Sequence, residues 1–368
     1  MSTRLQRIVI KVGASVLTDE AGRLLEPRLT QLTAQLAACA RAQGQPILVS
    51  SGAIACGMAR LGVRRRPTAL AQLQACAAVG QGELMAVYSR LFAAHGLTVA
   101  QLLLTEADLA DQQRFRNAKQ TLLTLLHRRV VPIINENDTV AVDEITFGDN
   151  DRLAALVASA IDAQLLLILT DVDGLLRDGQ LIERVEALDQ SRPSPVGSGR
   201  RQTTKGGITS KLEAARMAGH DGIPMVLANG TRPNVVTDLL AGQPVGTLFV
   251  PPLNRLSERK WWIAFSLRRP KGEVIVDAGA VRALAEQGRS LLPSGIVEVK
   301  GQFEPGACVH ILDQEGREIA RGVCNFSSAD VARIKGLKSA EAAQRLGQPA
   351  REVIHRDHMV LARELQGT

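Results

Sequence analysis

Short aliphatic runs alternate with amphipathic stretches over the first two thirds of the chain. The runs are Ile8-Val9-Ile10, Ile47-Leu48-Val49, Val99 to Leu104, Val130 to Ile134, Leu165 to Leu169 and Met225-Val226-Leu227, each bounded by Gly, Pro or polar residues. Unbroken apolar character over so few residues suits strands buried on both faces. Between them, Arg28 to Arg41, Asn117 to Arg129, Asp151 to Ile161 and Ser210 to Ala218 are amphipathic at helical spacing. Strands alternating with helices predict an α/β fold, a mainly parallel central sheet between two helical layers.

The pattern changes near residue 250. Pro251, Pro252, Pro270 and the pair Arg268-Arg269 mark a linker, placed at 256–272 between a first domain at 1–255 and a second at 273–368. In the tail, Glu273 to Val276, Gly295 to Lys300, Cys308 to Leu312 and Glu318 to Cys324 read as short strands, with one helical interruption at Ala278 to Gln287. A small, mainly β domain is expected there. The stretch Gln190 to Thr204, rich in Ser, Arg, Gly and Pro, reads as a mobile surface loop.

Composition removes several classes of protein. The 368 residues suffice for two or three domains, and 45% hydrophobic with 22% charged residues excludes wholesale disorder, collagen and coiled coil. Aromatic residues, at 3%, are too few for rows of rings stacking on single-stranded nucleic acid. The net charge of +7 allows an anionic ligand without demanding one. Five widely spaced cysteines without a C-x-x-C pair predict reduced, buried thiols. With no signal-peptide pattern and no apolar run of membrane-spanning length, the cytoplasm is the expected compartment.

Four clusters carry candidate chemistry. In Ile8 to Ser15, Lys11 ends a buried strand and Gly13 follows, placing a cation and approachable N–H groups at the edge where open α/β sheets bind ligands. A lysine snorkelling from a strand end explains the same residues. In Val49 to Gly57, Ser51 precedes a helix whose free N–H groups favour a carboxylate or phosphate, though serine there is also an ordinary N-cap. Asn135-Glu136-Asn137-Asp138 and Gly148-Asp149-Asn150-Asp151 hold more amides and carboxylates than two turns require. Asp138 and Asn150 suit the ammonium and polar groups of an amino acid, and Asp151 suits orienting lysines rather than acting as a base. Finally, Leu169-Thr170-Asp171 and the later Lys205 to Lys211 form an anion cradle that is neither a Walker A loop nor part of a protein-kinase set. Other residues read more simply. Arg64-Arg65-Arg66 suits a solvated surface or subunit contact, His310, His355 and His358 lack metal-ligand spacing, and Trp261-Trp262 suits a domain or subunit contact.

The ordered set K-x-G-x-S, S-S-G-A-I-A-x-G, I-N-E-N-D, G-D-N-D, L-T-D and G-G-x-T-S-K-L resembles the amino acid kinase superfamily over residues 8 to about 250. I-N-E-N-D with G-D-N-D resembles its glutamate 5-kinase branch, and Gly272 to Leu361 is similar to the PUA domain that many of these kinases carry. The resemblance implies ATP-dependent phosphorylation of the γ-carboxylate of L-glutamate, giving γ-glutamyl phosphate for proline synthesis. By matching position, Lys11 and Lys211 would neutralise the phosphoryl group in transfer and Asp151 would hold both lysines. Ser51, Asp138 and Asn150 would bind glutamate. Lys11, Thr170, Asp171, Lys205, Gly206, Gly207, Ile208, Thr209, Ser210 and Lys211 would contact ATP. Mg2+ would bridge the β- and γ-phosphates, held by phosphate oxygens and water without a protein cage.

The resemblance further implies a homodimer or homotetramer and a hand-off of product to glutamyl phosphate reductase. Alternatives are another carboxylate kinase of the superfamily, such as acetylglutamate kinase or aspartokinase, and an RNA-binding protein acting through the PUA-like tail. Two departures bear on the nucleotide. A Y-x-x-D-P-R-like element is missing after Leu175, and Lys205 and Ile208 replace a threonine and a methionine.

Overall fold

The computed structural model describes residues 7–140, 149–186, 207–251, 270–349 and 351–362. The chain divides into two compact units, Met1–Leu253 and Asn254–Thr368. Gln190 to Thr204, Lys205, Gly206, Trp261 and Trp262 lie outside the described residues.

The first unit is built on a central strand, β1 (Arg7–Val12), whose Ile8, Val9 and Ile10 are all buried. The strands that follow are β2 (Gln45–Ser50), β3 (Val99–Leu104), β4 (Val131–Glu136), β5 (Leu165–Thr170), β6 (Leu176–Arg177), β7 (Gln180–Leu181), β8 (Arg184–Val185), β9 (Met225–Asn229) and β10 (Thr247–Phe249). Eight of them form one sheet in the order β3-β4-β2-β1-β5-β9-β10-β8, while β6 and β7 make a separate hairpin. From β3 to β9 all neighbours are parallel; β10 runs antiparallel to β9 and parallel to β8. The fold is α/β, as the alternation of runs predicts. β3 departs from the expected two-sided burial because it is the edge strand, and most of its residues are only partly buried.

Helices connect the strands: α1 (Ala14–Leu17), α2 (Glu26–Arg41), α3 (Ala53–Arg60), α4 (Leu70–Ala93), α5 (Glu106–Ala110), α6 (Gln112–His127), α7 (Asp149–Ala160), α8 (Ile208–His220) and α9 (Val235–Leu240). Leu29, Leu32 and Leu36 recur at helical spacing on α2 and join Tyr88 and Phe92 of α4 in the cluster that also holds Ile8 and Ile10. Each such side chain, fully buried, contributes about 1.5–3 kcal/mol. Asp111 caps α6 by accepting from the N–H of Arg114 at 2.8 Å. Helices α3 and α4 meet backbone to backbone. A Cβ on Gly57 would stand 1.7 Å from the carbonyl oxygen of Cys76, and one on Gly80 1.9 Å from that of Ala53. Only glycine fits at either point, so the turn entering α3 is held firmly against α4.

The second unit is a five-stranded sheet in the order β12-β11-β13-β14-β15, with β11 (Gly272–Val276), β12 (Ile296–Gly301), β13 (Cys308–Leu312), β14 (Glu318–Val323) and β15 (Met359–Leu361). Among the described residues of this unit, only β11 and β13 pair in parallel. Helices α10 (Ala278–Ala285), α11 (Ser328–Ile334) and α12 (Ser339–Leu346) accompany it. Val274, Val309, Ile311, Val331 and Ile354 share its apolar core. All five cysteines are free and buried. Burial pushes the thiols of Cys39 and Cys324 up to about 11 and those of Cys56 and Cys308 up to about 12, which leaves them inert. Among the described residues, no helix is long and apolar enough to cross a membrane.

Candidate active site

The parallel strands bring their carboxyl ends to one edge of the sheet. β1 has β2 on one side and β5 on the other, with Lys11 level with Val49 and Ile168. The chain leaves β1 toward β2 and returns on the opposite flank as β5, so the crevice of an open α/β sheet falls between β1 and β5. Lys11, Ser51, Asn135, Glu136 and Thr170 all lie at or just beyond these strand ends.

A charged triad occupies the crevice. Lys11, 7% exposed, places Nζ 2.6 Å from Oδ1 of Asp151, which is itself 1% exposed. Lys211 reaches the same carboxylate from α8, with Nζ 3.2 Å from Oδ2, and Ser210 Oγ donates to Oδ2 at 2.7 Å. Two lysines far apart in sequence thus share one aspartate from the first turn of α7. Lys11 points inward, which excludes a strand-end snorkel.

Burial holds the Lys11 ammonium below its ordinary value and nearby Lys211 pushes the same way, while Asp151 opposes them. Burial alone would raise the Asp151 carboxyl, but the two ammoniums outweigh it and keep the group below the usual carboxylate range. Two cations against one anion leave an excess positive charge, suited to a bound phosphate.

A polar chain runs beside the triad. Asn150 Nδ2 donates to Ser51 Oγ and to Asn135 Oδ1, both at 2.9 Å. The backbone N–H of Glu136 donates to Asn135 Oδ1 at 3.0 Å and to Asn150 Oδ1 at 3.2 Å. Asn135 Nδ2 donates to Gln81 Oε1 on α4 at 2.8 Å. Ser51 is not an N-cap. Gly52 takes that position in the left-handed region at φ 112°, with no side-chain cap, and the Ser51 hydroxyl is engaged by Asn150 instead. Behind it, the buried Tyr88 hydroxyl pairs with Ser50 Oγ at 2.9 Å. Because Asn150 and Asp151 are consecutive on α7, the polar chain and the triad are fixed to one helix.

The remaining expected residues lie around these groups. Asp138, half-buried, sits two residues past β4, and its charge acts on Arg66. Arg64, Arg65 and Arg66 are all exposed. Thr170 Oγ1 donates to Asp171 Oδ1 at 3.1 Å where β5 ends, and Asp171 is exposed. Gly207 precedes α8 without a side-chain cap; Ile208 opens the helix, followed in its first turn by Thr209, Ser210 and Lys211. A helix start there presents N–H groups and a positive dipole end. In the second unit, His310 Nδ1 lies 2.7 Å from Glu318 Oε1, and the rings of His355 and His358 meet edge to face. Among the described residues, no group of three or more His, Cys, Asp or Glu could hold a metal ion.

Gln81, Tyr88 and the second role of Ser210 were not legible in the sequence. Asn135 stood in a conspicuous polar run but without an assigned partner.

Residues 6–229 match the amino acid kinase family, and residues 272–346 match the PUA domain. Curated relatives named Glutamate 5-kinase align over almost the whole chain. The protein of Caldanaerobacter subterraneus subsp. tengcongensis is 46% identical, covering 96% of this chain and 97% of its own. That of Herpetosiphon aurantiacus is 47% identical over 96% of this chain and 98% of its own. That of Thermus thermophilus is 46% identical over 98% of both.

Proposed function

We propose that this chain, which belongs to the amino acid kinase family, uses ATP to phosphorylate the γ-carboxylate of L-glutamate, the first step of proline synthesis. The observation that carries this reading is the pair of ammoniums, buried Lys11 and partly buried Lys211, held on one carboxylate beside the polar chain that ends at Ser51. The attacking carboxylate is already ionised near neutral pH and needs no general base. Asp151, with an ammonium on each oxygen, is a poor base and a good anchor.

In the reaction, a γ-carboxylate oxygen of glutamate bonds to the γ-phosphorus of ATP. The bond from that phosphorus to the bridging oxygen breaks, and ADP leaves with the electron pair. Negative charge spreads over the equatorial oxygens of the migrating group, where Lys11 and Lys211 stabilise it. Ser51, Asp138 and Asn150 hold glutamate. Thr170, Asp171 and the segment from Lys205 through Gly206, Gly207, Ile208, Thr209 and Ser210 to Lys211 hold ATP. Mg2+ would be held mainly by the phosphate oxygens of ATP and by water, and would supply further neutralisation of the phosphates.

The chemistry is assigned to residues 1–255, followed by a linker at 256–272 and the PUA-like domain at 273–368. The same reading makes the protein a cytoplasmic homodimer or homotetramer that passes its labile acyl phosphate to glutamyl phosphate reductase. ADP release with L-glutamate, L-aspartate and N-acetyl-L-glutamate tests the substrate. Glutamate should exceed aspartate in kcat/KM by about 10-fold or more, the discrimination one methylene allows. Preference for either competitor overturns the proposal.

A further inference from the structure

The hydrogen bonds beside Ser51 have a direction, and it can be read from one group that has no choice. A backbone N–H can only donate. The N–H of Glu136 meets the side chains of both Asn135 and Asn150, at 3.0 and 3.2 Å, so both must turn their amide oxygens toward it. The NH2 of Asn150 then faces Ser51 Oγ, which accepts. The NH2 of Asn135 faces Gln81, which must present its oxygen at 2.8 Å. Having accepted from Asn150, the Ser51 hydroxyl keeps its single proton for another partner.

We infer that Gln81 is a positioning residue which, acting through Asn135 and Asn150, commits the Ser51 hydroxyl to donate to a carboxylate oxygen of the amino-acid substrate. Gln81 is 9% exposed and buried within the unit. It follows Gly80, whose missing side chain lets α4 touch α3 at Ala53, two residues beyond Ser51. The acceptor oxygen is therefore carried by α4, and the hydroxyl it governs by the turn that enters α3, a helix in close backbone contact with α4. Without an acceptor at position 81, the Asn135 NH2 loses its buried partner and the amide has reason to rotate. Rotation would turn an NH2 toward the Glu136 N–H and the Asn150 NH2, breaking the chain at its middle. A hydroxyl that donates selects an anionic or carbonyl oxygen and rejects an ammonium at the same point.

This inference rests on glutamate being the substrate, and the two fail separately. If wild-type protein releases no ADP in response to glutamate, the substrate assignment is wrong; the Gln81 inference is judged from variants of an active protein. Gln81→Met keeps the size but removes the acceptor, and Gln81→Glu keeps an oxygen there. Gln81→Met should raise the glutamate KM about 10-fold or more, the scale of a lost hydrogen bond to a charged group, with the ATP KM unchanged. Gln81→Glu should restore most of the affinity.

Asn150→Asp supplies a second test that leaves α4 intact, since an oxygen facing Ser51 captures the hydroxyl proton; it should also raise the glutamate KM selectively. A thermal melt checks that each variant is folded. If Gln81→Met is unstable, Asn150→Asp decides. A folded Gln81→Met with an unchanged glutamate KM overturns the inference. So does an equal rise in both KM values, or a glutamate KM that Asn150→Asp leaves unmoved.

Discussion

Replacing Asp151 with asparagine removes one negative charge from between two ammoniums while keeping the side chain's shape. The carboxylate is 1% exposed, with Lys11 at 2.6 Å and Lys211 at 3.2 Å. Removing one partner of a buried ion pair costs about 3–5 kcal/mol, because a charge is left in a poorly solvated place. Lys11 can escape part of that cost by losing its proton. Burial already holds its ammonium below the ordinary 10.5, and Asp151 is the attraction that limits the fall.

The sign of the pH effect follows from this. Lys11 acts as a cation, so activity is present below its pKa and lost as pH rises through it. The alkaline limb of kcat/KM, which reports the free enzyme, should lie below 10.5 in the wild type and move further down in Asp151→Asn. Stability runs the other way at acid pH. The lowered Asp151 pKa contributes stability above the usual carboxylate range, and that contribution is lost as pH falls through the folded-state value. Asp151→Asn should lack this acid dependence. Displaced lysines should also reduce kcat about 100-fold or more. The assay is kcat and kcat/KM against pH, with urea unfolding in parallel. A kcat within about threefold of wild type and an unmoved alkaline limb of kcat/KM would show that Asp151 does not hold the two lysines in place.

Three further substitutions probe neighbouring parts. Lys211→Ala should lower kcat about 100-fold with little change in glutamate KM, because its charge acts chiefly on the transition state; steady-state ADP release reads both. Asp138→Ala should raise the glutamate KM more than the ATP KM, and the opposite pattern would mean that the subsites are exchanged. Gly57→Ala forces a Cβ to 1.7 Å from the Cys76 carbonyl oxygen, so α3 and α4 must separate. A loss of about 3 kcal/mol or more is expected, read from the urea midpoint; a normal midpoint would show that the spacing of the helices is not fixed.

The strands that set the site were readable because each is a short, mostly aliphatic run, and the polar clusters followed them directly. Lys11, Asp151 and Lys211 meet in the structure, although nothing in their local sequence fixes the distance between them. Helix α4 was harder. Its outward face carries Ala71, Ala75, Ala78, Val79 and Gly82, so the polar stripe that marks an amphipathic helix is weak. Gln81 and Tyr88 lie on that helix, and their partners, Asn135 and Ser50, are 54 and 38 residues away. Ser51 looked equally like a cap because a serine before a helix ordinarily is one. Only the left-handed Gly52, which takes the capping position, frees its hydroxyl for Asn150. In the tail, β15 is three residues long, too short to show a period.

If two lysines and a bound dicarboxylic amino acid meet over one phosphoryl group, the product is an acyl phosphate. Hydroxylamine intercepts acyl phosphates as hydroxamates. Incubating the protein with ATP, Mg2+, L-glutamate and hydroxylamine should yield γ-glutamyl hydroxamate in step with ADP, and omission of glutamate should abolish both. ADP formed in response to glutamate without hydroxamate, or no ADP at all from the intact protein, would contradict the account.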